Sequence, residues 1–153
     1  MEDALVVLET DDKGHELLTD AAELAAGVDA TLHVLSLLTH EEFEEKREAL
    51  DAMAEEEHTS YDDSVFMDNV RQDAQEVTTE VLGDIDVQWN VIAGRVGQAE
   101  SEADRILEAA ASNDIDHVFI TGTQRSPTGK AVFGDRAQAV MLNFDGPVTA
   151  LLS

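Results

Sequence analysis

Short, nearly unbroken apolar runs recur along this chain, and a helical pattern separates each from the next. The first run is Ala4-Leu5-Val6-Val7-Leu8, and Thr31 to Leu37, His117 to Thr121 and Val148 to Leu152 follow it at intervals. A strand without polar alternation has to be covered on both faces, which is the condition of a strand inside a parallel sheet. Val87, Trp89, Val91 and Ala93 alternate with polar residues instead, as an edge strand with one covered face does. Between the runs, apolar residues recur at helical spacing. Leu18, Ala21, Ala22 and Ala25 form one stripe that stops at Gly27, a residue suited to a helix C-cap. Phe43, Leu50, Met53 and Ala54 form the next, and Phe66, Val70, Ala74, Val77 and Val81 another, with Asp63 or Ser64 as its cap after a break at His58 to Asp63. Ala99, Ala103, Ile106, Leu107 and Ala110 make the fourth stripe, and Ala137, Val140, Met141 and Phe144 the last. Strands alternating with helices over the whole length predict an α/β fold: an open five-stranded parallel sheet with right-handed crossovers and helices on both faces. With no repeat, low-complexity tract or linker to divide it, the chain is expected to form a single domain over residues 1–153.

Charge narrows the setting. The chain has 34 acidic against 9 basic residues, a formal net charge of −25, yet 43% of its residues are hydrophobic. So much apolar material argues against disorder. A compact domain this charged repels itself at ordinary salt, whereas at 1 M salt the Debye length falls to about 3 Å and the repulsion is screened. The composition therefore points to a halophilic, cytoplasmic protein. The absence of cysteine fits a reducing compartment and excludes disulfides and thiolate zinc sites. There is no apolar stretch near 18 residues and no leader pattern, so no membrane partner is expected. Nucleic acid is excluded as a partner too, for want of a basic patch.

One loop stands out chemically. After His117-Val118-Phe119-Ile120 comes Gly122-Thr123-Gln124-Arg125-Ser126-Pro127-Thr128-Gly129-Lys130-Ala131-Val132-Phe133-Gly134, and then a helix. Glycines at both ends and in the middle, with the cations Arg125 and Lys130, bring bare backbone N–H groups and a helix N-terminus to one spot, which favours a phosphate. In an open parallel sheet, ligands bind beyond the strand C-termini at a topological switch point. The loop should meet Glu9-Thr10-Asp11-Asp12 there.

These residues carry a resemblance from end to end to the universal stress proteins, small α/β domains of which some bind ATP or related nucleotides. The family's signature is Gly, two residues, Gly, nine residues, Gly, then Ser or Thr. Gly122 and Gly134 stand at its outer glycines, Arg125 replaces the middle one, the loop is one residue shorter, and Asp135 replaces the Ser or Thr. His33-Val34 resembles the "His-Val" of the second strand, Gly94 the glycine after the third, and Glu9 the family's Asp after the first. Ile115 to Gly122 and Gly146-Pro147-Val148-Thr149 resemble its fourth-strand entry and its final strand. The resemblance implies a Rossmann-like sheet in the order 3-2-1-4-5. It also implies a nucleotide site in which Leu8, Glu9, Val34 (through its backbone) and Gly94 serve adenine and ribose. Gly122, Thr123, Arg125, Gly129, Lys130, Gly134, Asp135 and Arg136 would serve the phosphates. ATP or AMP is the implied ligand, with Mg²⁺ held by Asp135 as a further option.

Other chemistries fit less well. Gly129-Lys130 lacks the four-residue spacing and the Ser/Thr of a phosphate-binding P-loop. Glu9, Asp11 and Asp12 resemble the acidic pocket of a phosphorylated receiver, but the required Asp and Lys after later strands are missing. The histidines at 15, 33, 40, 58 and 117 have no metal-ligand spacing. No Gly-x-Ser-x-Gly elbow occurs, and no catalytic acid–base pair can be read, leaving slow ATP turnover as the most that enzymology would offer. Met53, Met67 and Met141 read as core fillers. Two readings remain: an adenine-nucleotide-binding stress-response domain, and a nucleotide-free dimeric regulator that binds a protein partner. Pro147 opens the last strand, and Val148 to Leu152 would leave an apolar unpaired edge in a monomer, so a homodimer through this strand is expected.

Overall fold

The structure, a computed structural model, describes residues 1–57, 63–123 and 134–153, with side chains described outside 54–63. Five strands, β1 (Asp3–Val7), β2 (Thr31–Leu38), β3 (Gln88–Arg95), β4 (His117–Gly122) and β5 (Val148–Leu152), form one parallel sheet in the order β3-β2-β1-β4-β5. The apolar runs are the inner strands: Ala4, Leu5, Val6 and Val7 are all at most 1% exposed. The alternating run is indeed an edge, since among the described residues β3 pairs with β2 alone.

Helices cover both faces because successive residues of each strand point to opposite sides. On one face Ala4, Val6, Leu32, Val34 and Phe119 pack against Leu17, Leu18, Ala21, Ala22 and Ala25 of α1 (Asp12–Gly27) and Leu82 of α3 (Asp63–Leu82). On the other, Leu5, Val7, Leu35, Val118 and Ile120 meet Ala103, Ile106, Ala109 and Ala110 of α4 (Glu102–Ser112) and Ala137 and Val140 of α5 (Asp135–Asn143). A smaller cluster joins α2 (His40–Glu57) and α3 to the end of β2. There Phe43 and Phe66 stack edge-on at 5.0 Å with Leu38 and Val70 beside them, and the Arg95 guanidinium lies 3.5 Å over the Phe43 ring.

The helix ends differ from the expectation in one respect. Gly27 is the last residue of α1 but not the left-handed one: Asp29 takes φ 58°, with the Ala30 N–H donating to Ala25 O at 2.8 Å and the Asp29 N–H to Ala26 O at 3.3 Å. The same 6→1 and 5→2 pattern closes α4 through Asp114 at φ 52°. Asp, like Asn, tolerates that backbone better than most non-glycine side chains do. Two stripe members also fall elsewhere. Ala99 precedes α4, whose N-cap is Ser101, and Met53 is 48% exposed on α2 instead of filling the core. Met67 and Met141 do pack against core clusters. Asp63 opens α3 as its first helical residue, and the break at 58–62 lies outside the described residues.

Candidate functional site

β1 is the switch point of the sheet. It pairs with β2 on one side and β4 on the other, so the chain leaves it toward β2 and later returns to its opposite flank. Beyond the C-terminal ends of these strands lie two abutting cavities. The larger, of about 370 Å³, has Val7, Leu8, Glu9 and Thr10 on one side and Ser36, Leu37 and Leu38 on the next. Glu42 and Lys46 of α2, Val70, Asp73, Ala74 and Val77 of α3, and Glu102 with Arg136 close it. The smaller, of about 250 Å³, opens between Asp11, Lys13, Thr121, Gly122, Thr123 and the start of α5 at Gly134, Asp135 and Arg136.

Local sequence explains how each wall is held. α1 begins beside Glu9 because Asp11 caps it, its carboxylate accepting from the Gly14 N–H at 2.8 Å. Gly14 itself lies so close to β1's exit that a Cβ there would fall 2.2 Å from the Glu9 carbonyl oxygen. The α2 wall is pinned by Thr39, whose hydroxyl accepts from the Glu42 N–H at 3.1 Å and donates to the Glu42 carboxylate at 3.0 Å. Thr39-x-x-Glu42 has the sequence of a capping box, but here the Glu42 carboxylate accepts from the Thr39 hydroxyl in place of its backbone N–H. α5 is built differently. Its N-cap is Gly134 at φ 82°, which has no side chain to offer, and among the described residues no side chain bonds its first-turn amides. A Cβ on Gly134 would come within 3.2 Å of Thr123 Oγ1, so the two loop ends touch. The result is an uncapped helix N-terminus, with its partial positive charge, facing the smaller cavity.

Arg136 joins the two cavities. Its Nη1 donates to Glu9 Oε1 at 2.7 Å and lies 3.9 Å from Glu102 Oε1, while Nη2 donates to Thr121 Oγ1 at 3.3 Å. Glu9 and Arg136 are 35% and 21% exposed, so the pair is shielded enough to hold its geometry.

Of the residues expected at the site, Leu8, Glu9 and Arg136 line the larger cavity, and Gly122, Thr123, Gly134, Asp135 and again Arg136 line the smaller. Arg125, Gly129 and Lys130 fall in 124–133, outside the described residues. Val34 and Gly94 line neither cavity. Val34 is fully buried in the middle of β2 with Val6 and Val91 as its ladder partners, and its side chain belongs to the core. β2 runs four residues beyond Val34, so Leu37 and Leu38, not His33-Val34, reach the cavity. His33 is instead a cross-strand link near the opposite end of the sheet, its ring nitrogens 2.9 Å from Asp3 Oδ1 and 3.1 Å from Asn90 Oδ1. Gly94 lies within β3, not after it. A Cβ there would press within 3.2 Å of Leu37 Cδ2 and 3.3 Å of Arg105 Nη2, which makes it a packing residue. Gly14, Leu37 and Glu102 escaped the sequence reading. Glu102 carries no signal of its own, because its place depends on α4 packing beside α5. Among the described residues, no three carboxylate or imidazole side chains gather as a metal site. No helix among them is long and apolar enough to cross a membrane.

The sheet order, the switch point at β1 and the glycine-flanked entry to α5 together define the fold class of a universal stress protein. The universal stress protein family model matches residues 1–151, and the chain belongs to that family. A comparison with curated proteins gives no match. Among solved structures, a universal stress protein from Archaeoglobus fulgidus aligns over 98% of both chains at 18% identity and a TM-score of 0.64. A structure of the universal stress protein from Archaeoglobus fulgidus in complex with dAMP aligns over 98% of this chain and 96% of its own at 15% identity and TM-score 0.58. A universal stress protein in complex with cAMP covers 99% and 96% at 12% identity and TM-score 0.62. At such identities the likeness establishes the fold.

Proposed function

We propose that this chain is a cytoplasmic stress-response regulator that binds an adenine nucleotide across the two cavities, weakly and with help from Mg²⁺. The observation that carries the reading is the uncapped N-terminus of α5, opening beside Gly122 and Thr123 into one cavity and joined through Arg136 to a second with apolar walls. Leu37, Leu38, Val70 and Val77 offer an adenine ring apolar contact, and Glu9 is placed to accept from ribose hydroxyls. The α5 amides and the Gly122-Thr123 backbone are suited to phosphate. The complexes of related folds with dAMP and cAMP support the ligand class. Arg125, Gly129 and Lys130 belong to the same proposal on sequence grounds alone.

Asp135 sets the metal dependence. As the first residue of α5 it brings a carboxylate to the end of the helix that attracts anions, and so competes with a phosphate. A Mg²⁺ ion bridging Asp135 to phosphate oxygens would turn that repulsion into attraction. Calorimetric titration in molar KCl with and without Mg²⁺, on wild type and Asp135→Ser, tests the proposal. Asp135→Ser should bind ATP more tightly without Mg²⁺ by about 1 kcal/mol, roughly fivefold, the scale of one charge at a helix end. Absence of binding to both proteins at millimolar AMP and ATP would refute it.

The second reading, a nucleotide-free dimer that acts on a protein partner, draws on one feature: the acidic lining contributed by Asp11, Asp135, Glu42 and Asp73. Mass spectrometry of small molecules released from the natively purified protein separates the two.

A further inference from the structure

We propose that Arg136 is the specificity-determining residue of this site, and that its tether to Glu9 selects a ligand carrying one phosphate group over a di- or triphosphate. The inference rests on the nucleotide reading above and adds the class of nucleotide.

Among the described lining residues of the two cavities, Arg136 is the cation common to both. It is held from three directions, by Glu9 at 2.7 Å, Thr121 Oγ1 at 3.3 Å and Glu102 at 3.9 Å. A guanidinium so fixed offers its remaining donors at one place, the wall between the cavities. A ligand whose sugar sits beside Glu9 would bring its first phosphate to that wall. It would gain a charge-assisted, forked contact there without breaking the Glu9 pair. A second or third phosphate must extend into the smaller cavity, where Asp11 and Asp135 stand. Lys13 lines that cavity as well, but its ammonium is half exposed and turned to Glu16 at 3.4 Å. For Arg136 to follow the outer phosphates it would have to leave Glu9, stranding a carboxylate that is two-thirds shielded from water.

Salt sharpens the effect. Where the Debye length is about 3 Å, the overall charge of the protein hardly reaches the ligand, and contacts within a few ångströms decide affinity. Arg136 then favours the first phosphate, while among the described residues Asp11 and Asp135 offset what the α5 amides offer to those beyond it.

The test is calorimetric titration of adenosine, AMP, ADP and ATP in molar KCl with EDTA and no Mg²⁺, on wild type, Arg136→Gln, Arg136→Lys and Glu9→Gln. Wild type should bind AMP more tightly than either adenosine or ATP by about tenfold, the scale of one hydrogen bond to a charged group. Arg136→Gln should bring AMP down to the level of adenosine, and Arg136→Lys should keep part of the difference as a point charge without the fork. Glu9→Gln frees the guanidinium and should narrow the gap between AMP and ATP. Melting followed by circular dichroism shows which variants fold. If Arg136→Gln does not, the ligand order on wild type and Arg136→Lys decides. ATP binding as tightly as AMP to metal-free wild type, or an unchanged AMP-to-adenosine ratio in the Arg136 variants, overturns this inference while leaving nucleotide binding intact. Failure of all four ligands to bind the metal-free protein overturns this inference, and failure that persists when Mg²⁺ is restored overturns nucleotide binding as well.

Discussion

Gly14 stands where two effects of one added methyl group oppose each other, and the structure gives the size of both. Replacing it by Ala in the first turn of α1 would raise helix propensity by about 0.5–1 kcal/mol if nothing else changed. The new Cβ, however, would lie 2.2 Å from the Glu9 carbonyl oxygen, 2.5 Å from Glu9 Cβ and 2.6 Å from the Glu9 carbonyl carbon. Carbon–oxygen contacts settle near 3.3 Å or more, so α1 and the exit of β1 would have to part by about 1 Å. Neither side yields freely. The obstacle is backbone, and α1 is locked by Leu17, Leu18, Ala21, Ala22 and Ala25, each at most 1% exposed. Overpacking of this kind typically costs about 1–3 kcal/mol, which exceeds the propensity gain. Gly14→Ala should therefore lose about 1–2 kcal/mol net. For a chain of this size that lowers the melting midpoint by roughly 3–8 °C. Gly27→Ala is the control: it lies in the last turn of the same helix with nothing within 4 Å of its Cβ position, and should hold or raise the midpoint. The assay is thermal melting by circular dichroism in molar KCl. A Gly14→Ala midpoint equal to or above wild type would show that the close approach of α1 to Glu9 is not a constraint on this fold.

Three further outcomes are expected. The melting midpoint should rise with KCl up to about 1 M, where screening of the 34 carboxylates is nearly complete, and an equal midpoint at 0.1 M would refute the halophilic reading. Because β5 pairs with β4 alone among the described residues and carries Val148, Ala150, Leu151 and Leu152 along its unpaired backbone edge, light scattering in molar salt should give twice the chain mass. The Ala150 N–H points away from β4, so Ala150→Pro should shift that mass toward the monomer; a wild-type monomer at micromolar concentration would sink the β5 dimer. His117 is held below the usual histidine pKa, chiefly because burial beside Phe119 and Thr149 disfavours its charged form, against the opposing pull of Asp116. The folded state thus binds fewer protons than the unfolded state just below pH 6.5, so stability should fall as pH drops through that range. His117→Gln should flatten this part of the pH–stability curve, and an unchanged slope would assign the effect to other groups.

The chain determined its own class because the information needed was local. Ala4 to Val7 has no polar residue with which to meet water, so it must be an inner strand, and the alternation around Trp89 can serve only at an edge. The same holds for the loop, where glycine at 134 reaches the positive φ that opens α5. Short motifs were less reliable, because two or three residues do not reveal their register. His33-Val34 matched a motif of the second strand, yet the pairing of Val7 with Leu35 carries β2 onward and presents Leu37 and Leu38 at the cavity. Gly27 had the composition of a cap, but hydrogen bonds to Ala25 and Ala26 passed that role to Asp29. Met53 lay on an apolar stripe whose far end the sheet does not reach. What only the tertiary structure decided is the charge arrangement of the site. Glu9, Glu102, Thr121 and Arg136 are distant in sequence and carry no common pattern. They meet because β1 lies between β2 and β4 and α5 starts beside α4, so that crossover topology, not local propensity, ties a cation to the carboxylate at the switch point.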